Sequence, residues 1–153
     1  MELENERMEQ INAVLQRYGI SSLDDAKELC EKSGIDIIKI IKEHNKEVPE
    51  IAICAYTLGT AIALKKDTKL ASYAAMDIGE GIQAFCAPET DAYENRAGLG
   101  HGYQASMYLK NHEQKEEDAT NYGEILSFLE LSNDELLSIT SAIAKAIEEK
   151  VAG

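Results

Sequence analysis

Glu80 stands between Gly79 and Gly81, and His101 between Gly100 and Gly102, within the stretches Asp77-Ile-Gly-Glu-Gly-Ile-Gln-Ala-Phe-Cys86 and Gly98-Leu-Gly-His-Gly102. A carboxylate and an imidazole are suited to general acid–base work or to holding a charged ligand. Glycine inside a helix costs about 0.5–1 kcal/mol relative to alanine. Glycines bracketing two ionisable groups therefore point to close backbone approach, by another helix, a ligand or a second subunit. Asp77 and Glu80 share a helical face and could converge on a cation or a transferred proton. The plainer reading leaves both in solvent on an Ala-rich helix. At His101, unpaired backbone N–H groups of a helix start would suit an anion, with the imidazole as a switchable donor. Its plainer reading is a histidine bonded to a carbonyl.

The three cysteines, Cys30, Cys54 and Cys86, form no CxxC or similarly close pair. Cysteine within an apolar helix is most often a small core residue, and Cys30 and Cys54 fit that description. Cys86 ends a helix just ahead of Ala87-Pro88, where greater exposure than at Cys54 is expected, so it is the better ligand or thiolate candidate. A cluster could draw Cys86 and His101 from each of two subunits across a twofold axis. Other sites are absent from the sequence: there is no HExxH, no ExxH at His44, His101 or His112, no GxSxG and no EF-hand loop. Gly98-Leu-Gly-His-Gly102 is neither a GxGxxG nor a Walker A loop, and no strand precedes it, so a dinucleotide-binding fold is excluded.

The elements that must carry these residues read as helices throughout. Met8, Ile11, Leu15 and Tyr18 mark one face, ended by Gly19. Ser22 opens a near capping box, and Gly34 ends the helix of Leu23, Ala26, Leu29 and Cys30. Asp36 can cap a third helix that buries Ile37, Ile38, Ile40 and Ile41. Pro49 opens a fourth, apolar on nearly every side, which should be central. Its longest apolar run, Ile51 to Leu64, is 14 residues, short of the ~20 that span a bilayer. Asp67-Thr68 restarts the chain into a fifth helix from about Lys69 to Phe85. A loop follows to Ala97, then a sixth helix from near Gly98–Gly102 to about Glu113. Ile125, Phe128 and Leu129 make a short helix. Ser132-Asn-Asp-Glu135 is a capping box that leads a last helix through Leu136, Leu137, Ile139, Ile143 and Ile147.

A length of 153 residues with 44% hydrophobic side chains suits one globular domain. The formal charge is −13, from 28 acidic against 15 basic residues. That balance disfavours nucleic acid and anionic membrane surfaces as partners. Met1–Gln10 does not read as a secretory leader, which predicts a reduced, cytoplasmic protein.

Ile11-Asn-Ala-Val-Leu-x-x-Tyr-Gly-Ile-x-Ser-Leu23, Ala26-Lys27 with Cys30, Ile82-Gln-Ala-Phe-Cys86 and Gly98-Leu-Gly-His-Gly102 together resemble the N-terminal part of the GGGtGRT protein family. The resemblance spans roughly Met8 to Leu109. Family members are longer and carry a Gly-Gly-Gly-Thr-Gly-Arg-Thr signature in a C-terminal region. This chain lacks the signature, and after about Asn111 it departs from the family pattern. The resemblance implies that activity of the missing half is absent or supplied by a partner. It also points to iron–sulfur or anaerobic metabolism, because such genes accompany an iron–sulfur scaffold protein.

The expected fold is a compact all-α multi-helix bundle with its central apolar helix near residues 50–66. It forms a single helical domain over 1–153, with a charged link near 112–121 before a C-terminal helical hairpin. A homo-oligomer, in the first place a homodimer, is expected through the small residues Ala71, Ala74, Ala75, Gly79 and Gly81, although the same pattern would also serve helix contact within a monomer. The leading functional expectation is a small-ligand- or metal-binding accessory domain. Its ligand residues are Glu80, Gln83, Gly98, Gly100, His101 and Gly102, with Cys86 and His101 as metal ligands, an iron–sulfur cluster included. The first alternative is an enzyme using Glu80 and His101 as acid and base on a small anionic substrate. The second is a structural oligomerisation subunit.

Overall fold

Side-chain caps and left-handed stops bound several of the helices. The computed structural model describes residues 5–86 and 126–152. Six α-helices are seen there: α1 (Asn5–Arg17), α2 (Leu23–Ser33), α3 (Ile37–His44), α4 (Glu50–Lys65), α5 (Ala71–Cys86) and α6 (Asn133–Ala152). A helical turn at residues 126–129 precedes α6. No strand occurs among the described residues, and the fold is all-α. None of the described helices is long and apolar enough to cross a membrane.

The local signals act as their chemistry requires. Gly19 (φ +77°) closes α1, its N–H bonding to the Gln16 carbonyl and that of Ile20 to Leu15. This is the paired pattern of a helix ended by a left-handed residue. The Ser22 hydroxyl accepts from the Asp25 N–H, Asp36 accepts from the Lys39 N–H at 3.0 Å, and Gly34 (φ +79°) ends α2. Ser132 and Glu135 form the full reciprocal box, with backbone-to-side-chain bonds of 2.9 and 3.1 Å.

The apolar α4 is central, with 11 of its 16 residues buried. It packs most extensively on α5, and α2 also packs on it. The α4–α5 crossing runs through glycine. A Cβ on Gly81 would overlap the Cα of Gly59, and one on Gly59 would sit 2.5 Å from the Ile78 carbonyl oxygen. Gly59 and Gly81 thus serve close approach of another helix of the same chain. Ala74 and Ala75 are likewise buried within the chain.

The last helix covers the bundle. α6 packs on α5 and α3, and Leu136, Ile139, Ile143 and Ile147 enter the core. The Tyr56 hydroxyl donates to the Leu136 carbonyl at 2.8 Å and shares a 2.7 Å bond with the Thr140 hydroxyl. Glu148 of α6 accepts from the Ala71 N–H at 2.8 Å, capping α5 from 77 positions away.

Two expectations need correction. Ile38 is 52% exposed, whereas Ile37 and Ile41 are buried. Residues four apart share a helix face, and Ile38 turns about 100° off the face that Ile37 sets. Asp67 does not restart the chain but stops α4: its φ is +56°, and the Asp67 and Thr68 N–H groups bond back to Leu64 and Ala63. α5 then begins at Ala71. The loop to Ala97, the sixth helix, the charged link and Ile125 lie outside the described residues.

Candidate functional site

Glu80 is fixed by two other segments of the chain. Tyr18, held just beyond α1 by the Gly19 turn, donates its hydroxyl to Glu80 Oε1 at 2.9 Å. Lys66, the residue after α4, donates Nζ to Glu80 Oε2 at 3.0 Å and to Asp77 Oδ1 at 3.1 Å. The Thr68 hydroxyl completes the set with a 2.6 Å bond to Asp77 Oδ2. Lys66 Nζ also lies 5.1 Å from the centre of the Tyr18 ring, within cation–π range. The side chains of Asp77 and Glu80 are 13% and 18% exposed and that of Lys66 is 32% exposed. Asp77 and Glu80 therefore do converge on a cation, and the cation is Lys66.

Burial works against the charge of Lys66, but Asp77 and then Glu80 outweigh it and hold the ammonium above its ordinary pKa of 10.5. A lysine in this state is an ionic anchor and not an amine nucleophile at neutral pH. Cys30 titrates in the same direction: burial, reinforced by Glu31, pushes its thiol from 9.0 up to about 12. In both cases the folded state keeps a proton that the unfolded chain has already lost, so stability falls as pH rises. The loss is expected to begin near pH 9 through Cys30 and to steepen above 10.5 through Lys66. Urea midpoints measured from pH 7.5 to 11 check this, and Cys30→Ala should flatten the first part of the fall.

The thiols correct another expectation. Cys86 is buried at 8% exposure and Cys54 is half-buried, the reverse of the order that the Pro88 neighbourhood suggested. Cys86 lies at the end of α5, among the core side chains, next to Phe85, whose ring stacks at a tilt on Phe128 at 6.4 Å. A disulfide-exchange reagent is expected to modify Cys54 of the native protein first, with Cys30 and Cys86 reacting only as the fold opens. Mass spectrometry of partly labelled protein reads that order, and early labelling of Cys86 contradicts it.

No group of three or more His, Cys, Asp or Glu residues that could hold a metal ion occurs among the described residues. Cys86 is six residues from Glu80 on α5, on the order of 9 Å along the axis and about 120° around it. The structure does not bring these two side chains to one point. Gln83 is on α5, but its side chain lies outside the described residues, as do Gly98, Gly100, His101 and Gly102. Tyr18, Lys66 and Thr68 are the site residues that sequence reasoning missed. A signal existed for Lys66: two acids on one face, with a lysine at the end of the preceding helix.

A family model described as GGGtGRT protein matches residues 1–117. The chain belongs to the GGGtGRT family. No curated protein and no solved structure matches it. In this GGGtGRT chain the matched region takes in α1 to α5, so Tyr18, Lys66, Thr68, Asp77, Glu80 and Cys86 all fall inside it. α6, which covers the core and caps α5, lies outside it.

Proposed function

We propose that this GGGtGRT chain is a cytoplasmic small-ligand-binding accessory domain with its ligand held beside Glu80. It serves a partner protein of iron–sulfur or anaerobic metabolism. The observation that carries the reading is the fixing of one largely buried carboxylate by Tyr18 and Lys66, groups from two other parts of the chain. Both oxygens of Glu80 are bonded, which suits a charge held in place more than a base that must accept and release protons. The free lone pairs of that carboxylate would take a ligand with a hydrogen-bond donor or a positive group. His101 and the glycines at 98, 100 and 102 complete the site in this proposal. A metal or cluster at Cys86 would need further ligands from beyond the described residues or from a second subunit, and the reading does not depend on one.

Native mass spectrometry of the full chain purified without oxygen tests the proposal, with iron and sulfide determined on the same sample. A retained small molecule, lost on Glu80→Gln while the circular dichroism spectrum is unchanged, is the expected result. A retained mass that survives Glu80→Gln would move the site elsewhere. A ligand-free, metal-free chain would overturn the reading. Iron and sulfide that disappear with Cys86→Ser or His101→Ala would instead identify a cluster as what the domain holds.

A further inference from the structure

A concavity lies against α4, away from Glu80. It has a volume of about 330 Å³ and opens between α2, α3 and α4. Ile35, Ile37, Ile38 and Ile53 supply apolar walls. Its most buried polar lining is already satisfied: Cys30 Sγ donates to the Thr57 carbonyl at 3.5 Å, and the Thr57 hydroxyl donates to the Ile53 carbonyl. Charge is confined to the mouth, where Lys27 and Glu31 of α2 stand with Asp36, the cap of α3. Lys27 and Glu31 are one helical turn apart, yet among the described residues neither has an ion-pair partner, whereas Glu28 and Lys32 on the same helix pair at 3.1 Å. Ile38, half-exposed on the rim, leaves apolar surface for an occupant to cover.

We propose that this pocket binds a free branched-chain α-amino acid as its zwitterion. The aliphatic side chain enters among the isoleucines, the carboxylate meets Lys27, and the ammonium meets Glu31 and Asp36. The volume is at the small end of ligand pockets, which suits a molecule of amino-acid size and not a nucleotide. Two carboxylates at the mouth repel a simple organic anion, and Lys27 repels a simple amine, so only a ligand carrying both charges satisfies all three groups. The site is separate from Glu80 and stands or falls without it.

Titration of the isotope-labelled full chain with L-isoleucine, followed by backbone amide shifts, tests the proposal. Saturable shifts confined to Gly34, Ile38, Thr57 and their neighbours are expected. Lys27→Gln and Glu31→Gln, both at exposed positions that leave the core untouched, should each weaken binding about tenfold, the factor that one lost charged contact carries. 3-Methylpentanoate and 2-methylbutylamine, each lacking one charge of isoleucine, should bind at least about tenfold more weakly for the same reason. Absence of saturable shifts at millimolar isoleucine would overturn the proposal. So would equal binding of 3-methylpentanoate, which would make the pocket a reader of anions alone.

Discussion

Gly81→Ala is expected to destabilise the fold by about 1–3 kcal/mol, the usual cost of forcing atoms into a packed core. Helix propensity alone gives the opposite sign, because alanine in place of a mid-helix glycine gains about 1 kcal/mol. The geometry decides between them. A Cβ at Gly81 meets backbone on the facing helix, 2.8 Å from the Gly59 nitrogen and closer still to its Cα, where no side-chain rotation relieves the overlap. Only separation of α4 and α5 does, and that loosens the largest helix contact among the described residues. Separation also draws Lys66, just past α4, away from Asp77 and Glu80 on α5. Thermal and urea unfolding followed by circular dichroism should show a lower midpoint with helix content retained. Gly59→Ala should behave alike, since its Cβ strikes the Ile78 backbone. A stabilised Gly81→Ala would show that the two helices yield easily at this crossing.

Lys66→Met should cost about 1–3 kcal/mol by leaving two partly buried carboxylates without the cation they share. The methionine keeps most of the apolar stem, so the loss reads the charge and its bonds at 3.0 and 3.1 Å. Partial exposure keeps the effect below that of a deeply buried pair. Lys66→Met combined with Glu80→Gln should recover part of the deficit. Urea unfolding of the four proteins in that cycle supplies the coupling energy. Additive losses would mean that Lys66 and Glu80 do not depend on each other.

What could be read from the sequence was what neighbouring residues decide. Ser22, Asp36 and the Ser132–Glu135 pair announced helix starts because their side chains bond only three residues onward. Gly19 and Gly34 announced stops because the left-handed region favours glycine. Where Asp67 and Glu130 occupy that region instead, the residue type gave no warning, and α4 was expected to give way directly to a restart at Asp67. Ile38 misled because four isoleucines in five positions cannot share one face. The candidate site was only half legible for a related reason. Glu80 and Asp77 stood out, but Tyr18 lies 62 positions from Glu80, and only the folded chain brings them together. That end of α5 also packs with residues distant in sequence, since Phe85, the neighbour of Cys86, meets Phe128.

Tyr56 reaches Leu136 and Thr140 across 80 and 84 positions, while α4 and α5 are joined by a turn of a few residues. Closing a long loop costs chain entropy before any contact offsets it, so the local pair has the kinetic advantage. During synthesis α4 and α5 leave the ribosome well ahead of α6, before Tyr56 can reach its partners Leu136 and Thr140. The newborn chain must wait for α6 much as an assembly waits for a missing subunit. Until α6 arrives, the core lacks Leu136, Ile139, Ile143 and Ile147, and translation that stops before α6 releases a chain that cannot supply them.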